Sequence, residues 1–242
     1  MTSKSLGAGG LILGLLLFGC RNNPPEILSL SWQLWLSPPL AAESPAPGET
    51  PGNSRSPAPV APTVELSVFL LIRDEDGEDD GAYLYLSDPK EELFWEIPAA
   101  EWEKVTLDGE SWIGYSAFRL PPGADFYGRS LELILVDRSG QQARRDFRVS
   151  VRPPDPRTLV FPRVEDRGDS LRFINAGEET LVRLFDSQGK LLDEFITGRE
   201  ELPREVFFEK VPPQGGGLGM VVSVRDPERG YWRRGERQTL ER

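Results

Sequence analysis

Alternation of apolar and polar positions dominates this chain. In EILSLSWQLWLSP (26–38), Leu28, Leu30, Trp32, Leu34 and Leu36 fall on one side of an extended backbone, and Ser29, Ser31 and Gln33 on the other. That period of two predicts a half-buried β-strand. VELSVFLLIR (64–73) repeats it with Leu66, Val68, Leu70 and Ile72. Further strands are predicted in AYLYLSDP (82–89), ELFWEIP (92–98) and SWIGYSAFRLPPG (111–123). LELILVDRSGQQARRDFRVSV (131–151) reads as a hairpin that turns on Asp137 to Gly140, where glycine tolerates a positive φ. No window sustains a helical period, and 99–105 has room for one short turn. Short strands parted by turn signals predict an all-β fold of the sandwich type.

RPPDPR (152–157) interrupts the strands, and the segment after it corresponds to the segment before it. LYLSDPKEEL (84–93) aligns with VRLFDSQGKL (182–191): the apolar positions match, an Asp matches, and the next Leu follows five residues later in both. The run from LPPG to LELILVDRSG (120–140) aligns with the run from VPPQ to GMVVSVRDPERG (211–230), and RDEDG (73–77) holds the place of INAG (174–177). Two correspondences in the same order predict tandem copies of one sandwich, 26–152 and 157–242. SPPLAAESPAPGETPGNSRSPAPVAP (37–62) has too little apolar surface to repay ordering and reads as a Pro-rich disordered insert. Loop closure cost rises only logarithmically with length, so an insert after a first strand is tolerable. The other reading starts the first domain near Val64. On these segments the tandem copies resemble bacterial immunoglobulin-like domains, although no Cys-Trp-Cys core is present. Such a resemblance implies a fold and carries no function with it.

Ahead of the strands, Lys4 precedes an uncharged apolar run, LILGLLLFG (11–19), which ends on Cys20 and Arg21. Charge, short apolar run and small residue form the pattern of a secretory signal. The run is too short to span a hydrocarbon core of ~30 Å. Leu17-Phe18-Gly19-Cys20 resembles the bacterial lipobox, which implies a signal peptide over 1–19 and lipidation, palmitate included, on Cys20. Residues 20–25 would then be a tether. An ordinary signal with a chance cysteine and a retained helix are the other readings. Several acyl chains hold a membrane stably, at ~0.8 kcal/mol per buried methylene. The resemblance implies a lipid-anchored place in the bacterial cell envelope and leaves the leaflet open.

Net charge is −11, which argues against nucleic acid as a partner, because phosphate contacts need a cationic surface. Histidine is absent, so Ser-His-Asp and Cys-His catalysis and the HExxH zinc site are excluded. Cys20 is the single cysteine, so no intrachain disulfide forms and stability rests on the cores.

Few constellations carry chemistry. RDEDGEDDGA (73–82) brings Asp74, Asp76, Asp79 and Asp80 around Gly77, hard oxygen ligands of the kind calcium takes, though the EF-hand glutamate is missing and Tyr85 stands at the twelfth position. A solvated acidic turn is the alternative; no other cofactor is called for. QGGGLGM (214–220) precedes a strand rather than a helix, so it is no phosphate loop, and SQGK (187–190) sits in a hairpin turn. Tyr83, Tyr85, Phe94 and Trp95 give two adjacent strands an aromatic outer face, a candidate contact surface for an envelope protein or a glycan, and Trp35 points away from the Leu28–Leu36 side. RDPERGYWRRGERQTLER (225–242) reads as an edge hairpin whose charges repel other strands, or as a receiver for an acidic partner such as the first domain. Paired carboxylates acting on a glycoside remain the one hydrolytic chemistry the composition permits. The function expected is a non-enzymatic, lipid-anchored binding or spacer module, with carbohydrate binding as the alternative.

Overall fold

A computed structural model describes residues 23–39, 62–74, 80–107, 109–121, 123–155, 158–209 and 217–241. The protein is all-β. Its strands are β1 (Glu26–Ser37), β2 (Thr63–Arg73), β3 (Gly81–Asp88), β4 (Leu93–Pro98), β5 (Glu103–Leu107), β6 (Glu110–Arg119), β7 (Ser130–Asp137) and β8 (Gln142–Arg148). They continue as β9 (Arg163–Asp166), β10 (Ser170–Ile174), β11 (Thr180–Phe185), β12 (Leu191–Thr197), β13 (Glu201–Pro203), β14 (Leu218–Arg225), β15 (Tyr231–Arg234) and β16 (Gln238–Leu240). A 3-10 turn, Ala99–Glu101, and one four-residue helix, α1 (Glu205–Phe208), complete the described elements. None of the described helices is long and apolar enough to cross a membrane.

Sheet β4-β3-β7-β8 faces strands β1, β2, β6 and β5, and between them lies a core of Leu34, Leu66, Leu70, Leu84, Leu86, Leu133 and Phe118. A second core, around Leu171, Val182, Leu184, Phe207 and Met220, lies between β13-β10-β9 and β12-β11-β14. The corresponding sequences form corresponding hairpins: β4-β3-β7-β8 repeats the strand order of β12-β11-β14-β15. The aligned aspartates do the same work in each. Oδ1 of Asp88 accepts from the Lys90 amide (3.2 Å), and Oδ1 of Asp186 from the Gln188 and Lys190 amides (2.9 and 2.8 Å). Asp137 and Asp226 likewise accept from the amides of Gln141 and Arg229. A carboxylate that satisfies turn amides offers the chain a local alternative to strand pairing, which is why these residues sit where strands reverse.

Two local features depart from simple alternation. The β1–β2 register slips between Ile27 and Ser29, so Leu28 is the extra residue of a β-bulge. Ile27 therefore enters the core and Leu28 points to solvent, whereas alternation alone put Leu28 inside. At Gly114, a Cβ would stand 2.1 Å from the Val68 carbonyl oxygen, so β2 and β6 approach at a point only glycine permits. The chain over 99–105 makes a 3-10 turn and then enters β5.

The C-terminal hairpin is not an edge. β15 pairs with β14 on one side and, in parallel, with β1 on the other, in the register Leu34↔Tyr231, Trp35↔Trp232 and Leu36↔Arg233. This single pairing fuses two sheets into one, ordered β12-β11-β14-β15-β1-β2-β6-β5. Tyr231, from the second half of the chain, is buried in the core of the first.

Candidate functional site

Alternation along β3 sends Leu84 and Leu86 into the core and Tyr83 and Tyr85 outward. On β4 the same rule buries Ile97 and turns Phe94 and Glu96 outward. Tyr85 lies opposite Glu96 and Ser87 opposite Phe94, which puts Phe94 diagonal to Tyr85. The three rings form one stacked row: Tyr83 to Tyr85 at 5.7 Å between centroids and 21° between planes, Tyr85 to Phe94 at 5.1 Å and 26°. Cross-strand aromatic contacts of this kind stabilise a sheet. They also decide what the surface offers. Tyr85 is covered on both faces by its neighbours, so the row presents ring edges and the outer faces of Tyr83 and Phe94, which are 39% and 60% exposed.

The Tyr85 hydroxyl is held to Glu96, and burial, then the Glu96 charge, raises its pKa above the ordinary phenol value. On the far side of the row stand Val136 and Ile134 of β7, then Glu132, which is paired with Arg144 at 3.1 Å.

Trp95 does not belong to this surface. One residue from Phe94 along an extended strand, it points inward and meets Phe118 edge-on at 6.1 Å and Phe126 at 6.4 Å. Its Nε1 donates to the Arg119 carbonyl at 3.2 Å, tying β4 to β6 across the sandwich. Of the four aromatic residues singled out in the sequence, Tyr83, Tyr85 and Phe94 come together and Trp95 is part of the core. Alternation held the signal for that division, since Phe94 and Trp95 are consecutive.

Of the acidic turn, Asp74 and Asp80 are described, and the Asp80 carbonyl accepts from the Arg138 amide at 2.8 Å. Asp76 and Asp79 lie outside the described residues, as do Cys20 and the Pro-rich segment over 40–61. Among the described residues, no group of three His, Cys, Asp or Glu side chains is placed to hold a metal ion.

A second cluster was not legible in the sequence. Glu65 is buried opposite Trp35, and each of its carboxylate oxygens meets a different arginine. Arg119 donates to Oε1 through Nε (2.8 Å) and Nη2, and Arg234 donates to Oε2 at 2.9 Å. The Arg234 guanidinium lies over the Trp35 ring at 4.9 Å and Arg183 over the same ring at 5.3 Å. Burial lowers the Arg234 pKa, and Glu65 opposes the shift. Trp35 faces away from the first core and is covered by Trp232 and Arg234 of β15 and by Arg183 of β11.

No protein-family model matches the chain, and no curated protein matches it. Solved structures similar in part to this chain include two of low identity. One is the dimeric latent PorU from Porphyromonas gingivalis, 17% identical over 91% of this chain and 20% of that one, with a TM-score of 0.30. The other is a BSP domain of a biofilm associated protein, 11% identical over 72% of this chain and 27% of that one, with a TM-score of 0.23. The chain thus spans about a fifth and about a quarter of these proteins. Neither likeness bears on function.

Proposed function

We propose that this protein is a lipid-anchored component of a bacterial cell envelope, attached through Cys20, that performs no chemistry and serves as a binding or spacer module for another envelope component. The observation that carries this reading is the exposed Tyr83–Tyr85–Phe94 row on the sheet face of a body stiffened by a shared sheet. Large aromatic side chains supply contact area at little entropic cost and favour interface centres. The lipobox resemblance supplies the anchor, and the absence of histidine removes the commonest general base.

Photocrosslinking in intact cells tests the reading. With p-benzoylphenylalanine in place of Phe94, one envelope protein is expected in stoichiometric yield, and the protein recovered alone overturns it. Metabolic labelling with an alkynyl palmitate is expected to mark the chain and to fail in Cys20→Ala. Carbohydrate binding is the second reading, supported by the carboxylate of Glu96 beside the rings. Flat stacking on a sugar needs open ring faces, and here Tyr85 has none. Retention of glycans on an array by the wild type, lost in Tyr83→Ala and Phe94→Ala, would favour that second reading.

A further inference from the structure

The edge beside the aromatic row has backbone groups of known direction. The Asp137 amide donates to the Gln141 carbonyl at 3.0 Å, so Asp137, Leu135 and Leu133 direct their backbone groups toward β8. Because direction alternates along a strand, Val136 and Ile134 bond β3 at Tyr83 and Tyr85. Leu84 and Leu86 then bond β4 at Ile97 and Trp95, and the N–H and C=O groups of Phe94 and Glu96 face away from the sheet. Among the described residues β4 pairs with β3 alone. Beyond Glu96 the edge closes, since Pro98 has no N–H to offer.

Native edges are blunted by charge, above all by cations. β8 carries Arg144, Arg145 and Arg148, β5 carries Lys104, β9 carries Arg163, and β12 carries Asp193 and Glu194 together. β4 carries Glu96 as its sole charge, beside the most exposed ring of the row. Its surroundings are acidic: Glu91, Glu92, Glu96 and Glu101 are all exposed, against Lys90. A second copy of the chain would set Glu96 and its neighbours against themselves, and an anionic lipid surface would be repelled as well.

Resting on the reading of the protein as a binding module, we propose that β4 is where its partner docks, as an added strand: an extended protein segment that hydrogen-bonds Phe94 and Glu96. The segment sets a Lys or Arg opposite Glu96 and an apolar residue opposite Phe94. Main-chain bonds supply affinity in strand addition, and alternate side chains supply specificity.

The test uses the full chain and two peptides of about twelve residues, one repeating Lys-Thr-Val-Thr and the other Glu-Thr-Val-Thr, so that the charged and apolar residues stand two apart on one face, as Glu96 and Phe94 do. The Lys peptide is expected to bind, to weaken about tenfold in Glu96→Lys, and to be unaffected by Ile196→Lys on the β12 edge. Amide exchange read by NMR is expected to slow at Phe94 and Glu96 when it binds. Equal binding of both peptides, no binding of either, or binding with those two amides unprotected overturns the inference. So does concentration-dependent dimerisation through β4. A crosslink from position 94 to an envelope protein, with both amides still exchanging freely, leaves the binding module standing and removes strand addition alone.

Discussion

Trp35 of β1 and Trp232 of β15 are direct register partners and stack at 5.2 Å between ring centroids, 17° from parallel. The pair lies on the strand contact that joins the two halves of the chain. Around it gather Arg183, Arg234 and the buried Glu65. Apolar area, ring stacking and a compensated charge thus act at one seam, which ties together the two halves that RPPDPR separates in sequence.

Removing the stack uncouples the halves. Trp232→Ala is expected to destabilise the protein by about 3 kcal/mol, within the range for losing a buried large aromatic. A single urea transition, followed by tryptophan fluorescence and by circular dichroism, is expected to split into two. One cooperative transition in the variant would show that the seam does not couple the cores.

Glu65 is tested by a contrast. Glu65→Gln leaves the largely buried Arg234 and the more exposed Arg119 without a counter-charge, and a loss of about 2 kcal/mol is expected, below the full buried-pair penalty because solvent reaches Arg119. The double variant Glu65→Leu with Arg234→Met removes charges from both sides of the pair and is expected to recover most of that loss. Urea midpoints of Glu65→Leu, Arg234→Met and the double variant give the coupling energy directly. A double variant as unstable as Glu65→Gln would mean that the ion pair is not what the site depends on.

The bulge in β1 makes opposite predictions for neighbouring residues. Ile27→Ala is expected to cost about 2 kcal/mol, while Leu28→Ser stays within about 0.5 kcal/mol of wild type. Thermal midpoints settle it. The reverse order would place Leu28 in the core and remove the register slip.

Alkaline pH should weaken the protein through Tyr231. Burial, then its hydrogen bond to Asp226, raises its pKa in the folded state. The unfolded chain therefore gives up this proton first, so the stabilisation is complete below the ordinary phenol pKa of about 10 and is lost as pH rises through the folded value. Between about pH 8 and pH 11 the urea midpoint is expected to fall less in Tyr231→Phe than in wild type. An equal fall would assign the alkaline loss to other groups.

Much of this protein was written in its alternation. Periodicity and turn residues determined an all-β fold, the inward positions of Leu66, Val68, Leu70, Leu84 and Leu86, and the hairpin reversals at Asp88, Asp137, Asp186 and Asp226. These depend on neighbours in sequence: side chains alternate with a period of two, and a carboxylate satisfies amides a few residues away. Tertiary structure decided the rest. A single extra residue at Leu28 exchanged which of two adjacent apolar side chains is buried, and periodicity does not register a bulge. The C-terminal arginines, which satisfy the rule for an edge, stand in mid-sheet because β1 pairs with β15 across most of the chain's length. No local pattern encodes which strand a distant strand will choose. That choice follows from burying Trp35 against Trp232 and Glu65 against Arg234, contacts that exist only once both halves have folded.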